Sequence, residues 1–168
     1  SSSAMDSTKN QKDQMMGEHL KEPSEITAFP KFPEGTTSHL SKQLTRDVWN
    51  KCKGKKDKCG YTFEQCIFSG AKYTNSGVGV YAGCHDSYTT FAPLFDKIIE
   101  AYHGHKPSDK HISSMNYEEL NCPPFDEDAL AMIKSTRIRV ARNLADYPLG
   151  SAISKEDRKK VEELVTSA

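Results

Sequence analysis

The sequence predicts an α+β chain: a small all-helical region first, then the opening of a sheet-containing region. Three observations carry this. Tyr88, Phe91, Leu94, Phe95, Ile98, Ile99 and Tyr102 recur at spacings of three and four, the signature of a helix with one buried face. Residues 106–127 are rich in Pro, Ser, Asn and Asp and read as a linker. Beyond them, Ser135-Thr136-Arg137-Ile138-Arg139-Val140-Ala141-Arg142 alternates charged and apolar residues with the two-residue period of a strand.

Composition limits the function classes. Lys+Arg and Asp+Glu number 23 each in 168 residues, so no net field draws nucleic acid or a membrane, and any anion site is local. No apolar run approaches the ~20 residues that span a bilayer, and no signal-peptide core appears. The cysteines, Cys52, Cys59, Cys66, Cys84 and Cys122, are odd in number and widely spaced, with no Cys-x-x-Cys pair. That argues against a disulfide framework and against a zinc site, and suits reduced thiols in a cytoplasmic protein.

Residues 1–28 are polar without an apolar period and carry Asp6, Asp13, Glu18, Glu22 and Glu25, as expected for a disordered tail rather than a transit peptide. Phe29 to Thr37, with Pro30, Pro33 and Gly35, reads as an extended segment laid over a core. A helix is expected from Thr45 to Lys53, stopped by Gly54. After the solvated Lys55-Lys56-Asp57-Lys58 comes a second helix, with Thr62 and Gln65 at capping-box spacing and Gly70 as terminator. The third is capped by Asp86 or Ser87 and closed by Gly104, and Pro93 should bend it or start a new segment. These helices have few partners but each other, which makes residues 29–105 a helical domain. Ser154 opens a last helix whose stripe is Val161, Leu164 and Val165. One strand and one helix cannot bury their apolar faces alone, so residues 128–168 read as the incomplete beginning of a second domain, and the chain as an N-terminal fragment.

Two stretches carry candidate chemistry. As a strand, the arginine segment puts Arg137 and Arg139 on one face about 7 Å apart, with Ile138 and Val140 opposite. Two guanidinium groups so placed make a fork for an anion with several oxygens, such as a polyphosphate; an edge strand with a solvated basic face is the plainer alternative. Arg142 breaks the alternation and suits a structural ion pair. The second stretch is Asn75-Ser76-Gly77-Val78-Gly79-Val80-Tyr81, where two glycines let the backbone turn tightly and bring amides close to a ligand; an ordinary glycine hinge is the alternative. His103, His105 and His111 lack an obvious third and fourth ligand for a metal, and no metal site is expected there.

Several blocks, taken in order, resemble the phosphagen (guanidino) kinases. They are Ser76-Gly77-Val78-Gly79-Val80-Tyr81, Phe95-Asp96-Lys97-Ile98-Ile99-Glu100, Tyr102-His103-Gly104, Lys106-Pro107-Ser108-Asp109-Lys110-His111, and Ser135 through Leu144 followed by Asp146-Tyr147-Pro148-Leu149. The resemblance runs from about Phe29 to the last residue. It implies a second, ATP-binding catalytic domain built on an antiparallel sheet wrapped by helices. It implies reversible transfer of the ATP γ-phosphoryl group to a guanidino compound, with ATP/ADP and Mg²⁺ as cofactors. The amides of Ser76, Gly77 and Val78 would then hold the substrate carboxylate, with the Tyr81 hydroxyl adding a contact. Arg137, Arg139 and Ser135 would face the nucleotide, and no catalytic residue would lie in this fragment. The short 76–81 loop and Tyr102 resemble the arginine-using members, whereas Asn75 stands where those commonly have aspartate, so lombricine and taurocyamine remain as alternative acceptors. A non-catalytic phosphate-binding module is the alternative for the fragment itself. Members occur as monomers and as homodimers.

Overall fold

The computed structural model describes residues 20–168. The chain divides into two compact units, one running to Pro107 and taking in Leu144–Ala168, the other Ser108–Asn143.

The first unit is helical: α1 His39–Gln43, α2 Arg46–Cys52, α3 Phe63–Lys72, α4 Ser87–Thr90 and α5 Ala92–His103, with a further helix over Lys155–Ser167. Local chemistry sets each boundary. Ser38 accepts from the Ser41 amide at the start of α1, and Thr45 accepts from the Val48 amide at the start of α2. Thr62 and Gln65 close the expected capping box on α3. Phe91 breaks the third expected helix into α4 and α5, with Pro93 in the first turn of α5, where its missing N–H costs nothing. Gly104, in the left-handed region, ends α5.

The core is an aromatic run with aliphatic infill. Trp49 lies 5.9 Å from Phe63, Phe63 lies 5.4 Å from Phe91, and Phe91 lies 6.4 Å from Phe95. Leu40, Val48, Ile67, Leu94 and Ile98 are buried around them. Full burial of a large apolar side chain contributes about 1.5–3 kcal/mol, and this run is what holds the short helices together. Phe29 and Phe32 of the extended segment pack against the core as expected, Phe29 edge-on to Trp49 at 6.4 Å.

Several expectations are corrected. The strand over 135–142 does not form: among the described residues there is no strand, and the one isolated pairing is an antiparallel bridge between Lys56 and Thr62. A strand needs a neighbour for its amides and a surface for its apolar face, and neither is supplied here. Ile138 is accordingly 89% exposed and Val140 73%. Gly70 does not terminate α3, which runs on to Lys72. Tyr88 and Tyr102 belong to the apolar period of the third helix but are exposed. Of the polar 1–28 segment, residues 1–19 lie outside the described residues, while Ile26 is buried in the core and Leu20 packs on it. Leu149 packs on the same core, its amide donating to the Gly83 carbonyl. In the last helix Ser154 caps as expected, but Leu164 and Val165 are exposed.

The second unit holds one 3₁₀ turn, Tyr117–Glu119, and one short helix, α6 Glu127–Met132, which is capped by Asp126. The helix over Lys155–Ser167 is α7. Among the described residues no helix is long and apolar enough to cross a membrane.

Candidate guanidino-substrate loop

The loop after α3 is tied down by its backbone. The amides of His39 and Leu40, which open α1 and have no intrahelical partner, donate to the carbonyls of Gly77 and Val78 at 3.0 Å each. The Gly70 amide within α3 donates to the Gly79 carbonyl at 3.0 Å, and the Tyr81 amide to the Cys66 carbonyl at 2.9 Å. The Ser76 and Ser69 hydroxyls lie 2.8 Å apart.

This anchoring fixes the direction of the amides. Among the described residues no peptide bond is cis, and in a trans peptide the C=O of one residue and the N–H of the next point in opposite directions. Because the carbonyls of Gly77 and Val78 both point at the start of α1, the N–H groups of Val78 and Gly79 both point away from it. Two successive amides facing one way form a concavity for an anion. The trio expected from the sequence was Ser76, Gly77 and Val78. The Ser76 amide donates to the Tyr73 carbonyl in a long 3.4 Å bond, while the amides of Val78 and Gly79 face away from α1.

The glycines differ in their reasons. Gly79 has φ +87 and sits so close to α1 and α3 that a Cβ would lie 2.8 Å from the Leu40 Cβ. Gly70 is its counterpart on α3, where a Cβ would come within 2.6 Å of the Gly79 oxygen. The pair of glycines lets the loop lie on the helix. Gly77 has neither reason: its φ is not positive and nothing lies within 4 Å of its Cβ position. Fold alone does not demand glycine there, and the space beside it is open.

Tyr102 joins this loop through one residue. The His39 ring meets the Tyr102 ring edge-on at 5.3 Å, while the His39 amide holds Gly77. His39 was not singled out from the sequence; the short helix carrying it has no apolar period to betray it. Tyr81 and Tyr102 are both exposed, at 57% and 58%, so both hydroxyls are accessible to a ligand.

Ser135, Arg137 and Arg139 lie in the second unit, exposed and outside regular structure. Arg142 donates to the carbonyl of Ala141 rather than to a carboxylate. For a nucleotide, two exposed guanidinium groups two residues apart fit the chemistry of the phosphates. For Mg²⁺ the described residues offer no cluster of hard oxygen ligands; the one grouping close enough to hold an ion contains two thiols.

A second buried arrangement lies just beyond the loop. Asp57 is 5% exposed, its Oδ1 accepting from the Cys59 and Tyr61 amides at 2.9 Å each and its Oδ2 from the Ser87 hydroxyl at 2.6 Å. Ser87 in turn accepts from the amides of Gly83 and Cys84. Burial and the neighbouring Cys84 push the Cys59 thiol up to about 11, with Asp57 and Asp86 adding to the rise. Burial pushes the Cys66 thiol well above its usual range.

Residues 34–100 match the family model described as "ATP:guanido phosphotransferase, N-terminal domain". The chain is 43% identical over 143 residues to an arginine kinase of Anthopleura japonica, covering 83% of this chain and 20% of that one. It is 40% identical over 142 residues to an arginine kinase of Limulus polyphemus, covering 83% and 40%. Among solved structures, a lombricine kinase superposes with a TM-score of 0.72 at 25% identity, over 88% of this chain and 40% of that one. The substrate-free duplicated taurocyamine kinase from Schistosoma mansoni gives a TM-score of 0.65 at 25% identity, over 80% and 19%. The chain thus spans from about a fifth to two fifths of these relatives. By its matched domain and these relatives, the chain belongs to the phosphagen (ATP:guanidino) kinase family.

Proposed function

We propose that this chain is the guanidino-substrate portion of a kinase that reversibly transfers the ATP γ-phosphoryl group to a guanidino acid, arginine being the preferred acceptor. The observation that carries this reading is the anchored loop, in which the Val78 and Gly79 amides face one way beside the open space at Gly77. A substrate carboxylate suits such a concavity, and the exposed Tyr81 and Tyr102 hydroxyls supply further polar contacts. Ser76, Gly77 and Val78, with Tyr81 and Tyr102, are the proposed substrate residues, and the Gly79 amide joins that of Val78 in facing the carboxylate.

Arg137 and Arg139, with Ser135, are proposed for the nucleotide, where they would neutralise phosphate charge and hold the chain of phosphates in line. ATP supplies the phosphoryl group when bound, and Mg²⁺ would be held mainly by phosphate oxygens. Residues 128–168 are read as the opening of the ATP-binding domain, after a linker over 106–127.

Arginine is preferred because the 76–81 loop is short and residue 102 is tyrosine. A short loop leaves room for a long guanidino compound and closes poorly over creatine or glycocyamine; misplacing a reacting atom by about 1 Å costs on the order of 10²-fold. The test is a coupled assay of a full-length enzyme on arginine, lombricine, taurocyamine, creatine and glycocyamine. Arginine should exceed creatine by about 10²-fold or more in kcat/KM. Creatine or glycocyamine ranking first would overturn the substrate assignment, and no transfer to any of the five would overturn the kinase reading. The 168-residue chain by itself is expected to transfer no phosphoryl group, since its relatives are more than twice its length.

A further inference from the structure

We propose that Asp57, Cys59 and Cys84 form a site for one thiophilic divalent cation of the Zn²⁺ class, stapling the 54–62 loop to the turn that follows the substrate loop. The ligand atoms of these three residues all lie within 4.8 Å of one another. Around a tetrahedral ion with metal–sulfur bonds near 2.3 Å, two sulfurs stand ~3.8 Å apart, so closure needs shifts of about 1 Å or less. Cys84 is buried and Cys59 is exposed, which gives an ion both a wall and a way in.

One hydrogen-bond network places all three donors. Oδ1 of Asp57 holds the Cys59 amide, and Oδ2 takes the hydroxyl of Ser87, which itself holds the Cys84 amide. Both lone pairs of Oδ1 are used, by Cys59 and Tyr61, whereas Oδ2 accepts one bond and keeps one lone pair for a metal. Hydrogen-bonded carboxylate ligands of this kind are the rule in metal sites, because the bonds fix the ligand's orientation.

The Asp57 carboxylate, which holds the Cys59 amide, places negative charge beside both thiols and attracts a divalent cation. Two thiols and one carboxylate exclude the hard Mg²⁺ and Ca²⁺ and suit Zn²⁺, with water as the fourth ligand. On binding, two metal–sulfur bonds and one metal–oxygen bond form, and each thiol gives its proton to solvent; no electron is transferred. The sequence pattern hides this site because its ligands are an Asp-x-Cys pair and a cysteine 25 positions on, joined only by the fold.

The test uses the reduced, chelator-treated 168-residue chain titrated with Co²⁺ and then Zn²⁺. One equivalent of Co²⁺ should give the visible bands of a tetrahedral site and a thiolate charge-transfer band, Zn²⁺ should displace it, and Zn²⁺ should raise Tm. Cys59→Ser, at an exposed position that the core does not need, should weaken Co²⁺ binding at least about tenfold and abolish the Tm rise, while Cys122→Ser should bind as wild type. Cys84→Ser should behave like Cys59→Ser. Absence of the charge-transfer band, its persistence in Cys59→Ser, or a wild-type mass two hydrogens low under mild peroxide would each overturn the proposal.

Discussion

Replacing Gly70 by alanine sets two opposed effects against each other at one atom. Within a helix interior, alanine is better than glycine by about 0.5–1 kcal/mol, so on propensity alone the change stabilises α3. The structure opposes it. The new Cβ would lie 2.6 Å from the Gly79 oxygen, 2.7 Å from the Gly79 Cα and 2.7 Å from the Leu40 Cδ2. Two of these three are backbone atoms, which cannot swing aside as the end of a side chain can. Overpacking of this kind costs about 1–3 kcal/mol, and pushing the loop away also stretches the 3.0 Å bond from the Gly70 amide to the Gly79 carbonyl, worth about 1 kcal/mol. The net is a loss of about 1–3 kcal/mol, or a Tm lower by about 2–12 °C at 2–4 °C per kcal/mol. Thermal and urea unfolding of the 168-residue chain, followed by circular dichroism, measures it. Gly77→Ala is the paired control: nothing lies within 4 Å, so its Tm should stay within about 2 °C of wild type, a change of no more than ~0.5 kcal/mol. A Gly70→Ala chain as stable as wild type, or more so, would refute the claim that the loop rests backbone-to-backbone on α3.

Three further outcomes follow from the same contacts. Ser87→Ala removes the hydroxyl that donates to buried Asp57 and accepts from Gly83 and Cys84, and should cost about 2–3 kcal/mol in urea unfolding, because a buried charge and two amides lose a partner. The Thr90 hydroxyl, then the Lys58 amide and charge, hold the Asp86 carboxyl below the usual carboxylate range despite opposing desolvation. A depressed folded-state value stabilises fully above the unfolded value of about 3.9 and is lost as pH falls through the folded one, so from about pH 5 downward wild type should lose Tm faster than Asp86→Asn, with the two curves parallel at neutral pH. In a full-length enzyme Arg137→Ala should lower kcat by about 10³-fold with an unchanged circular dichroism spectrum, and Arg137→Lys should remain poor because an ammonium lacks the bidentate fork; near-normal turnover in either would make this arginine surface charge.

Helix starts were legible where a side chain does the capping. Thr45, Thr62 and Ser154 each sit before a helix and accept a backbone N–H there, and Gly104 ends α5, because these are bonds between residues three or four apart. What depends on distant partners was not legible. Gly70 reads as a stop signal until Gly79 is seen against it. The amphipathic 135–142 run has strand periodicity but, in the described residues, no neighbouring strand, and periodicity cannot make one. The 76–81 loop was picked out by its glycines, yet which amides face outward follows from the unpaired amides of α1, a helix of five residues too short to show a period. Tyr102 could be named from the family pattern alone; its link to the loop through His39 is a tertiary fact.

The most direct test of the substrate loop is a backbone-amide NMR titration of the chain with arginine and, separately, with agmatine, which has the guanidinium but no carboxylate. If the outward amides hold a carboxylate, arginine should shift the resonances of Val78 and Gly79, with Gly77 and the neighbouring Tyr81 following, and agmatine should leave them in place. Equal shifts with both ligands, or arginine-induced shifts elsewhere with residues 77–79 unmoved, would contradict the account.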